Sequence, residues 1–383
     1  MQAEGAGSQD VQSTIESLFG PSVLVEGLTM GLTQVIHEDF VRRGGHAIIL
    51  PGRMATGFPS VLLLGTLDQL QGLCQLLSRG GDEEKEIQRD LVRLLGILED
   101  PHIPPLVHEG KRLDFSGRPL LMGILNVTPD SFSDGGRYLT PGRAIARGLQ
   151  MADEGADLLD IGGESTRPGS DAVSVQIQLE RVLPVIEGIR NTSDVWISVD
   201  TYRSEVAGAA IAAGADMIND ISGARYDPEI VPLAAHTGVP LVLMHIRGNP
   251  KNMQRAPSYQ ALISELLAYF DERIQAVAEA GVPREKVILD PGIGFGKTVE
   301  HNMMLLKYLA EFRVFGRPIL LGTSRKSFIG SVLNRDVDKR LIGSLVTAVL
   351  GYYNGVDILR VHDVSETKEA LSMAEAVRAV GYM

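Results

Sequence analysis

Short apolar runs alternate with amphipathic stretches from about residue 119 onward. Each run closes in a polar or glycine-containing turn. The runs are LLMGILNV (120–127), DLLDIG (157–162), WISVD (196–200), MINDIS (217–222), PLVLMHI (240–246), VILDPGI (287–293), PILLGT (318–323) and ILRVHD (358–363). Helix candidates lie at 142–155, 174–190, 203–213, 259–280, 300–311, 339–354 and 365–380. The alternation predicts eight parallel strands, each followed by a helix.

Eight βα units within residues 113–383 predict a (β/α)8 barrel, a fold that typically takes about 250 residues. An open doubly wound sheet is the alternative. That fold usually has fewer strands and a phosphate-binding fingerprint after the first one. The sequence has neither feature, so the barrel is favoured.

The first hundred residues lack this rhythm. HAIILPGR and SVLLLGT are typical of strands, and 67–78 and 83–98 are typical of helices. Residues 1–100 are therefore predicted to form a small α/β domain, whose role the sequence does not reveal. A proline-rich stretch follows, and we expect residues 101–112 to be a linker.

Composition narrows the class of protein. A formal net charge of −12 over 383 residues argues against a large nucleic-acid footprint, which needs a basic face. The single cysteine, Cys74, fits a reducing compartment and a structural role. The first twenty residues lack the pattern of a signal peptide, and no apolar run approaches the roughly 18 residues of a membrane span. We expect a cytoplasmic protein without a membrane partner.

Polar residues stand where the predicted strands end, which in such a barrel is where the active site lies. We expect two of them, Asp160 and Asp220, only to cap the next helices. The others form a ring of carboxylates, amides and one lysine that suits a flat, polar heterocycle. The residues at the strand ends are Asn126, Asp160, Asp200, Asn219, Asp220, His245, Asp290, Lys326, Arg360 and His362.

The stretch DPGIGFGKT (290–298) invites a nucleotide-binding interpretation. A P-loop needs a glycine five residues before its Gly-Lys-Thr, but that position is Pro291, which has no N–H to donate. The glycine spacing of a dinucleotide site fails as well. Asp290 is then the residue of interest, and Lys297 is predicted to be structural or at the surface.

Two long loops follow the first two strands, NVTPDSFSDGGRYL and GGESTRPGS. Loops of this composition often act as mobile lids. Asn126 and Asp130 offer the oxygen ligands that Mg²⁺ prefers, usually alongside substrate phosphates. Asp134, Arg360 and His362 could manage charge on a reacting centre and a departing anion.

Eight motifs in order, GILNVTPDSFSDGG, DIGGESTRPGS, SVDT, NDISG, MHIRGNPKNMQ, DPGIGFGKT, LLGTSRKSFIG and RVHDV, closely resemble dihydropteroate synthases. The resemblance covers the chain from about residue 113. It implies a (β/α)8 enzyme of folate biosynthesis that joins 6-hydroxymethyl-7,8-dihydropterin diphosphate to p-aminobenzoate and releases pyrophosphate. It also implies Mg²⁺, a homodimer and inhibition by sulfonamides.

Carried over residue by residue, the resemblance implies four groups of site residues. Asp200, Asn219, Asp290 and Lys326 would bind the pterin. Asn126, Arg360 and His362 would bind the diphosphate, and Asn126 and Asp130 the metal. Phe132, Thr166, Arg167, Pro168 and Ser327 would form the p-aminobenzoate pocket. Asp134, with Lys326 and Asp130, would serve catalysis, stabilising a pterin methylene cation in a dissociative mechanism.

Three rivals stay open. A methyltetrahydrofolate-dependent methyltransferase shares several strand-end acids but is not expected to carry STRPGS, TSRKS and RVHD together. A silent pterin-binding paralogue would usually lose loop residues, and here Asp130, Asp134 and Arg167 all stand in place. A phosphosugar isomerase or aldolase needs a general-base Glu or a Schiff-base Lys at a strand end. We expect Lys326, beside Arg325, to be exposed instead.

Overall fold

The computed structural model describes residues 21–51, 58–99, 102–128, 141–165, 170 and 173–380. These residues fall into two compact units that divide after residue 101. Within the described ranges, no helix has both the length and the apolar character needed to cross a membrane.

The N-terminal unit is a small α/β fold, as predicted. Its elements are β1 (Ser22–Val25), α1 (Met30–Arg42), β2 (His46–Leu50), β3 (Ser60–Leu64), α2 (Leu67–Leu77) and α3 (Asp82–Glu99). The strands form an antiparallel sheet in the order β1-β3-β2. Phe40, Leu63 and Leu73 are fully buried in its core, beside Cys74. The sequence patterns predicted neither β1 nor α1.

The stretch predicted as a linker contains a hairpin. β4 (Leu106–His108) and β5 (Lys111–Leu113) pair antiparallel within the larger unit. Leu106 and Leu113 are buried against the first residues of the barrel strands. Pro104 and Pro105 therefore directly precede a structural element of the larger unit.

The larger unit is a closed parallel barrel with helices around it, which confirms the (β/α)8 prediction. Its strands are β6 (Leu120–Asn126), β7 (Leu158–Gly162), β8 (Trp196–Asp200), β9 (Met217–Asp220), β10 (Leu241–Met244), β11 (Val287–Asp290), β12 (Leu320–Leu321) and β13 (Ile358–Val361). Their order is β11-β10-β9-β8-β7-β6-β13-β12. A single bridge between Leu289 and Ile319 joins the two ends of this order, so β11 and β12 form the seam of the barrel.

Helices connect the strands along the chain. They are α4 (Pro141–Glu154), α5 (Val175–Arg190), α6 (Ser204–Ala212), α7 (Ile230–Thr237), α8 (Leu262–Glu279), α9 (Val299–Lys307), α10 (Ser327–Leu333), α11 (Leu341–Tyr353) and α12 (Val364–Arg378). The short helices α7 and α10 were not among the predicted candidates. The sequence predicted one helix over 300–311. In the structure α9 ends at Lys307, and a separate 3-10 helix of seven residues, Leu309–Phe315, follows it.

Side chains alternate between the two faces of each strand and so divide the barrel into two cores. One set, including Ile161, Val199 and Leu359, faces outward and packs on the helices. The other set faces inward, and near the strand starts it is apolar. This lower core consists of Leu106, Leu113, Leu120, Met122, Leu158, Trp196, Met217, Val242, Ile288, Leu320 and Ile358.

Candidate active site

An arginine bridges two carboxylates at the upper end of the barrel interior. Arg360 on β13 donates from Nε to Asp160 Oδ2 (2.5 Å) and from Nη2 to Asp200 Oδ2 (2.8 Å). Asn219 on β9 donates to the same Asp160 oxygen at 3.1 Å. All four residues face inward: Asp160, Asn219 and Arg360 each lie two positions after a residue of the lower core, and Asp200 lies four positions after Trp196. Four strands thus contribute one connected polar network.

Burial shifts the pKa values in this network. Removal from water raises the pKa of Asp200 to about 7, with Arg360 opposing the shift and Asp160 adding to it. Burial alone would lower the pKa of Arg360, but Asp160 and Asp200 outweigh it and raise that pKa. The guanidinium therefore stays charged, while the two carboxylates compete for it.

The expectation that Asp160 and Asp220 cap the next helices is wrong for both, because those helices follow Ser174 and Glu229. Asp160 is fully buried in the network, and its Oδ1 has no hydrogen-bond partner among the described residues. Asp220 accepts from the Ser222 N–H (2.7 Å) and the Ala224 N–H (2.8 Å). The alternation of side chains along the strand was the signal that sequence reasoning missed. Asp160 is two residues after Leu158 and therefore faces inward with it.

Asp290 and Lys326 lie on either side of the barrel seam. Asp290 ends β11 and accepts from the Gly292 N–H at 2.7 Å. Lys326 donates from Nζ to the Ile293 carbonyl oxygen and lies 4.9 Å from the centre of the Phe295 ring. Burial lowers the pKa of Lys326 to about 8, against the attraction of Asp290. The expected exposure of Lys326 is therefore wrong, because its ammonium folds back onto the loop after β11.

Burial also raises the pKa of Asp290, although Lys326 opposes the shift. Lys326 approaches Arg360 as well, across Gly322 on the seam. A Cβ placed on Gly322 would lie 3.8 Å from Lys326 Nζ and 3.7 Å from Arg360 Cβ. The seam residues therefore join the same upper end as the Arg360 network.

The glycines of DPGIGFGKT serve a close approach between two loops. Gly292 and Gly296 have φ of 70° and 65°, in the left-handed region that favours glycine. A Cβ on Gly292 would lie 1.9 Å from the His245 carbonyl oxygen, and one on Gly296 would lie 2.4 Å from that of Arg247. Both glycines thus pack on the loop after β10.

Lys297 is one of the groups that sequence reasoning left out of the site. It is 2% exposed, so a surface position is excluded. Its Nζ lies 2.9 Å from His245 Nδ1. Burial lowers the pKa of Lys297 well below its usual value. Burial and the nearby Lys297 together lower the pKa of His245 to about 2, which keeps the imidazole neutral.

Asn126 ends β6, and His362 directly follows the neighbouring strand β13. β6 and β13 pair in parallel. His362 Nδ1 lies 2.9 Å from Ser324 Oγ. A Cβ on Gly162 would lie 3.7 Å from Asn126 Oδ1 and 3.6 Å from Asp200 Oδ2. Asn126 Oδ1 is an oxygen of the kind that binds Mg²⁺, whereas Asp200 Oδ2 accepts from Arg360.

Several predicted site residues lie outside the described ranges, namely Asp130, Phe132, Asp134, Thr166, Arg167 and Pro168. Ser327 is described, and it is exposed in the first turn of α10. Among the described residues, no group of three or more His, Cys, Asp or Glu side chains could hold a metal ion.

An apolar cluster flanks the polar ring, and the sequence analysis did not identify it. Ile221, Met244, Ile246 and Met253 are buried together, with Tyr202 and Phe295 packed against them. Met244 shares the inward face of β10 with Val242. The site thus combines in-plane hydrogen-bonding groups with apolar walls, the combination that a planar heterocycle needs.

The family model described as "Pterin binding enzyme" matches residues 122–362. Dihydropteroate synthase from Escherichia coli K12 is 49% identical over 271 residues, which cover 71% of this chain and 95% of that protein. The chain belongs to the dihydropteroate synthase family. The E. coli protein is matched over almost its whole length.

Solved dihydropteroate synthases share the fold. The Yersinia pestis enzyme in complex with a sulfonamide drug aligns with a TM-score of 0.69 at 46% identity, covering 72% of this chain and 100% of that one. The Xanthomonas albilineans enzyme in complex with 7,8-dihydropteroate aligns with a TM-score of 0.66 at 43% identity, covering 73% and 100%.

One dihydropteroate synthase relative reaches further. A probable bifunctional folylpolyglutamate synthase/dihydropteroate synthase from Halobacterium salinarum is 41% identical over 346 residues, covering 90% of this chain and 41% of that protein. The larger unit here spans only residues 102–383. The match is longer than this unit and therefore extends into the N-terminal unit.

Proposed function

We propose that the chain joins 6-hydroxymethyl-7,8-dihydropterin diphosphate to p-aminobenzoate, giving 7,8-dihydropteroate and pyrophosphate. The observation that carries the proposal is the set of inward-facing groups Asp200, Asn219, Asp290 and Lys326 at one end of a barrel of this family. Folate biosynthesis is the process served.

The pterin would lie across the upper end of the barrel. Asp290 would accept two N–H bonds from the amino-pyrimidinone edge, a geometry that a carboxylate can supply. Lys326 would donate to the carbonyl side. Asp200 would accept from an N–H of the remaining edge, and Asn219 would bond that edge through its side-chain amide. The apolar cluster around Met244 and Phe295 would contact the ring faces.

The diphosphate would meet Arg360, His362 and Asn126. Arg360 keeps its charge, so it can exchange part of its carboxylate pairing for phosphate oxygens. Asn126 and Asp130 would hold Mg²⁺. Asn126 Oδ1, beside Gly162, is an oxygen of the kind that fits that ion, which needs few protein ligands when a diphosphate is present. When bound, the ion supplies Lewis-acid neutralisation of the diphosphate charge.

The reaction that we propose is dissociative. The bond between the pterin methylene carbon and the diphosphate oxygen breaks, and pyrophosphate departs with the electron pair. Asp134 would stabilise the resulting methylene cation electrostatically. p-Aminobenzoate would be held by Phe132, Thr166, Arg167, Pro168 and Ser327. Its amine nitrogen donates its lone pair to that carbon, and the proton that the nitrogen then loses passes to water. No enzyme nucleophile takes part, and Cys74 is buried in the N-terminal unit.

The test is turnover of purified protein with the pterin diphosphate, p-aminobenzoate and Mg²⁺, followed by pyrophosphate release. Release that requires p-aminobenzoate and yields dihydropteroate supports the proposal. Tight pterin binding without release would identify a silent paralogue instead.

Two variants test the site itself. We expect Asp290→Asn to weaken pterin binding and Lys326→Ala to reduce kcat/KM, each by about 100-fold or more, with circular dichroism unchanged. Near-wild-type turnover in both would refute the assignment.

We also propose a homodimer. The outer side of α11 carries a stripe of exposed apolar residues, Ile342, Val346, Leu350 and Tyr353, at 47–75% exposure. This i, i+4, i+8, i+11 spacing keeps them on one face of the helix. A second copy is the occupant that we expect. Light scattering should give twice the chain mass, and Val346→Glu should halve it while the matched change Val377→Glu does not. A cytoplasmic location stays part of the proposal.

We propose finally that the barrel alone carries the activity. The described residues of the two units have separate hydrophobic cores, and 271 residues of this chain, no more than the larger unit spans, match 95% of the E. coli relative. A chain that begins at His102 should retain kcat/KM within about threefold, a difference of less than 1 kcal/mol.

A further inference from the structure

Lys297 carries a buried amine whose three partners are all uncharged groups. Its Nζ lies 2.9 Å from His245 Nδ1, 3.3 Å from the His245 carbonyl oxygen and 3.1 Å from the Phe295 carbonyl oxygen. A buried lysine is usually paired with a carboxylate, because removing a lone charge from water is costly. The bonds of this amine therefore connect neutral groups of the two loops and neutralise no carboxylate.

Those partners belong to two loops that border the proposed pterin pocket. His245 directly follows β10 and its inward-facing Met244, whereas Phe295 lies in the loop after β11. The loop after β11 also holds Lys326, through the Ile293 carbonyl oxygen and the Phe295 ring. Lys297 is thus the side chain that fastens this loop to the end of β10 from inside.

Two other bonds hold Gly294 in this loop, one from an exposed glutamine and one to the buried Asn302. Gln254 donates to the Gly294 carbonyl oxygen at 2.6 Å, and the Gly294 N–H donates to Asn302 Oδ1 at 2.7 Å. Gln254 is exposed, so water competes for its bond. The bonds of Lys297 are buried, and buried bonds cost more to leave unmade.

The valence of the amine matches its surroundings in either protonation state. A neutral amine has two N–H groups for the two carbonyl oxygens and one lone pair for a proton on His245 Nδ1. An ammonium has three N–H groups, and the Nδ1 lone pair of the other imidazole tautomer accepts the third. The three contacts therefore persist when the proton moves.

We infer that Lys297 is a positioning residue for the pterin: it holds the loop after β11 against His245 and thereby places Lys326, through Ile293 and Phe295, over the ring site. The inference deepens the proposed function and rests on its assignment of the pterin site. Lys297 itself is expected to touch neither substrate.

The first test measures binding and turnover separately in the full chain. 6-Hydroxymethylpterin is titrated calorimetrically into the wild type, Lys297→Met and the control Lys307→Met, which changes an exposed lysine on α9. We expect Lys297→Met to raise the Kd of the pterin and the KM of the pterin diphosphate about tenfold. The KM of p-aminobenzoate should stay within about twofold, and Lys307→Met should match the wild type.

A merely structural lysine would give a different result. It would lower the melting temperature and leave both KM values unchanged, or alter both equally, and either outcome overturns the inference. If the wild type binds the pterin but does not turn over, the proposed reaction fails, and the Kd comparison still decides the role of Lys297.

His245 gives a second route should Lys297→Met not fold. His245→Asn keeps a polar atom near the place of Nδ1 and should bind the pterin within about threefold of the wild type, whereas His245→Leu should reproduce the tenfold loss. Equal affinities in the two His245 variants would overturn the inference. In the double variant Lys297→Met/His245→Leu, the loss should not exceed that of either single change, because the two residues act as one contact.

Discussion

The two ends of the barrel interior are built by the same strands with opposite chemistry. Ile358 and Arg360 face the same way on β13, two residues apart, and so do Ile288 and Asp290 on β11. The lower residues join an apolar core that the β4–β5 hairpin covers. The upper residues carry buried charges with shifted pKa values.

This contrast indicates that residues only two positions apart on one strand have different roles, one in stability and the other in ligand binding. The lower end contributes stability through the burial of apolar surface. The upper end holds charges whose desolvation is unfavourable for folding and useful for binding a polar ligand. Substitutions at the two ends should therefore separate stability from activity.

The largest effect is expected from Arg360→Leu at the upper end. It leaves Asp160 and Asp200 buried without their cation, which should lower the free energy of unfolding by about 3–5 kcal/mol. It also removes a donor for the diphosphate, so kcat/KM should fall at least about 100-fold. Urea unfolding and pyrophosphate release measure the two effects, with the exposed Arg335→Leu as control. Retained activity would separate Arg360 from the anion site.

Trp196→Ala tests the lower end. Trp196 is 5% exposed in the lower core, so its truncation should lower the free energy of unfolding by about 3–5 kcal/mol. Below the unfolding transition, both KM values should equal those of the wild type. A changed pterin KM in the folded variant would contradict the division of the two ends.

A smaller effect concerns pH. The pKa of Asp200 is raised to about 7 in the folded chain, above its value in the unfolded chain. The folded state therefore binds the proton more tightly, and this contribution to stability is full below about pH 4 and lost as the pH rises through about 7. Asp200→Asn should remove about 1–3 kcal/mol of that fall, measured by urea unfolding between pH 5 and 8.

Asp220 and Asp357 also have pKa values raised by burial, in each case to about 6. They make the stability of the wild type fall with pH in the same direction. The difference between the wild type and Asp200→Asn isolates Asp200. Identical slopes in the two proteins would show that Arg360 keeps this carboxylate ionised.

The smallest effect is expected where charge occurs at the lower end. Lys111 on β5 contacts Asp216 at 2.7 Å, but Asp216 also accepts from Arg190 (2.7 Å) and the Ile197 N–H (2.9 Å). Lys111→Met should therefore lower the free energy of unfolding by only about 1 kcal/mol and leave kcat/KM unchanged. A loss of activity would connect the hairpin to the site.

Local patterns predicted the barrel because every strand and most helices follow period and turn signals that the chain states locally. The ends of the strands also predicted Asp200, Asn219, Asp290 and Arg360, and the structure brings Asp200, Asn219 and Arg360 together through Asp160. Asp160 was misassigned because its position after LL resembles a capping aspartate. The inward parity with Leu158 was the information that decided its place.

Other features depend on contacts far apart in sequence. The burial of Lys297 requires Gly296 to pass within reach of Arg247, an approach between two loops that no local pattern encodes. The prolines before Leu106 led to the prediction of a linker instead of the Leu106–Leu113 hairpin. The role of the hairpin follows only from the lower core that it covers. The exposure expected for Lys326 failed for the same reason, since the Ile293 carbonyl lies on another loop.

The seam between β11 and β12 has a consequence for the breathing of the barrel. β12 has two residues, and one bridge with the Leu289 N–H donating to the Pro318 carbonyl oxygen (2.9 Å) closes the cylinder there. Weakly paired strands open first in native-state hydrogen exchange. A pterin that binds both Asp290 and Lys326 would contact both sides of this seam and hold β11 and β12 together. Bound pterin should then slow deuterium uptake at the Leu289 N–H more than at amides in the interior of β7. Binding at the active site would thereby stabilise the closure of the barrel.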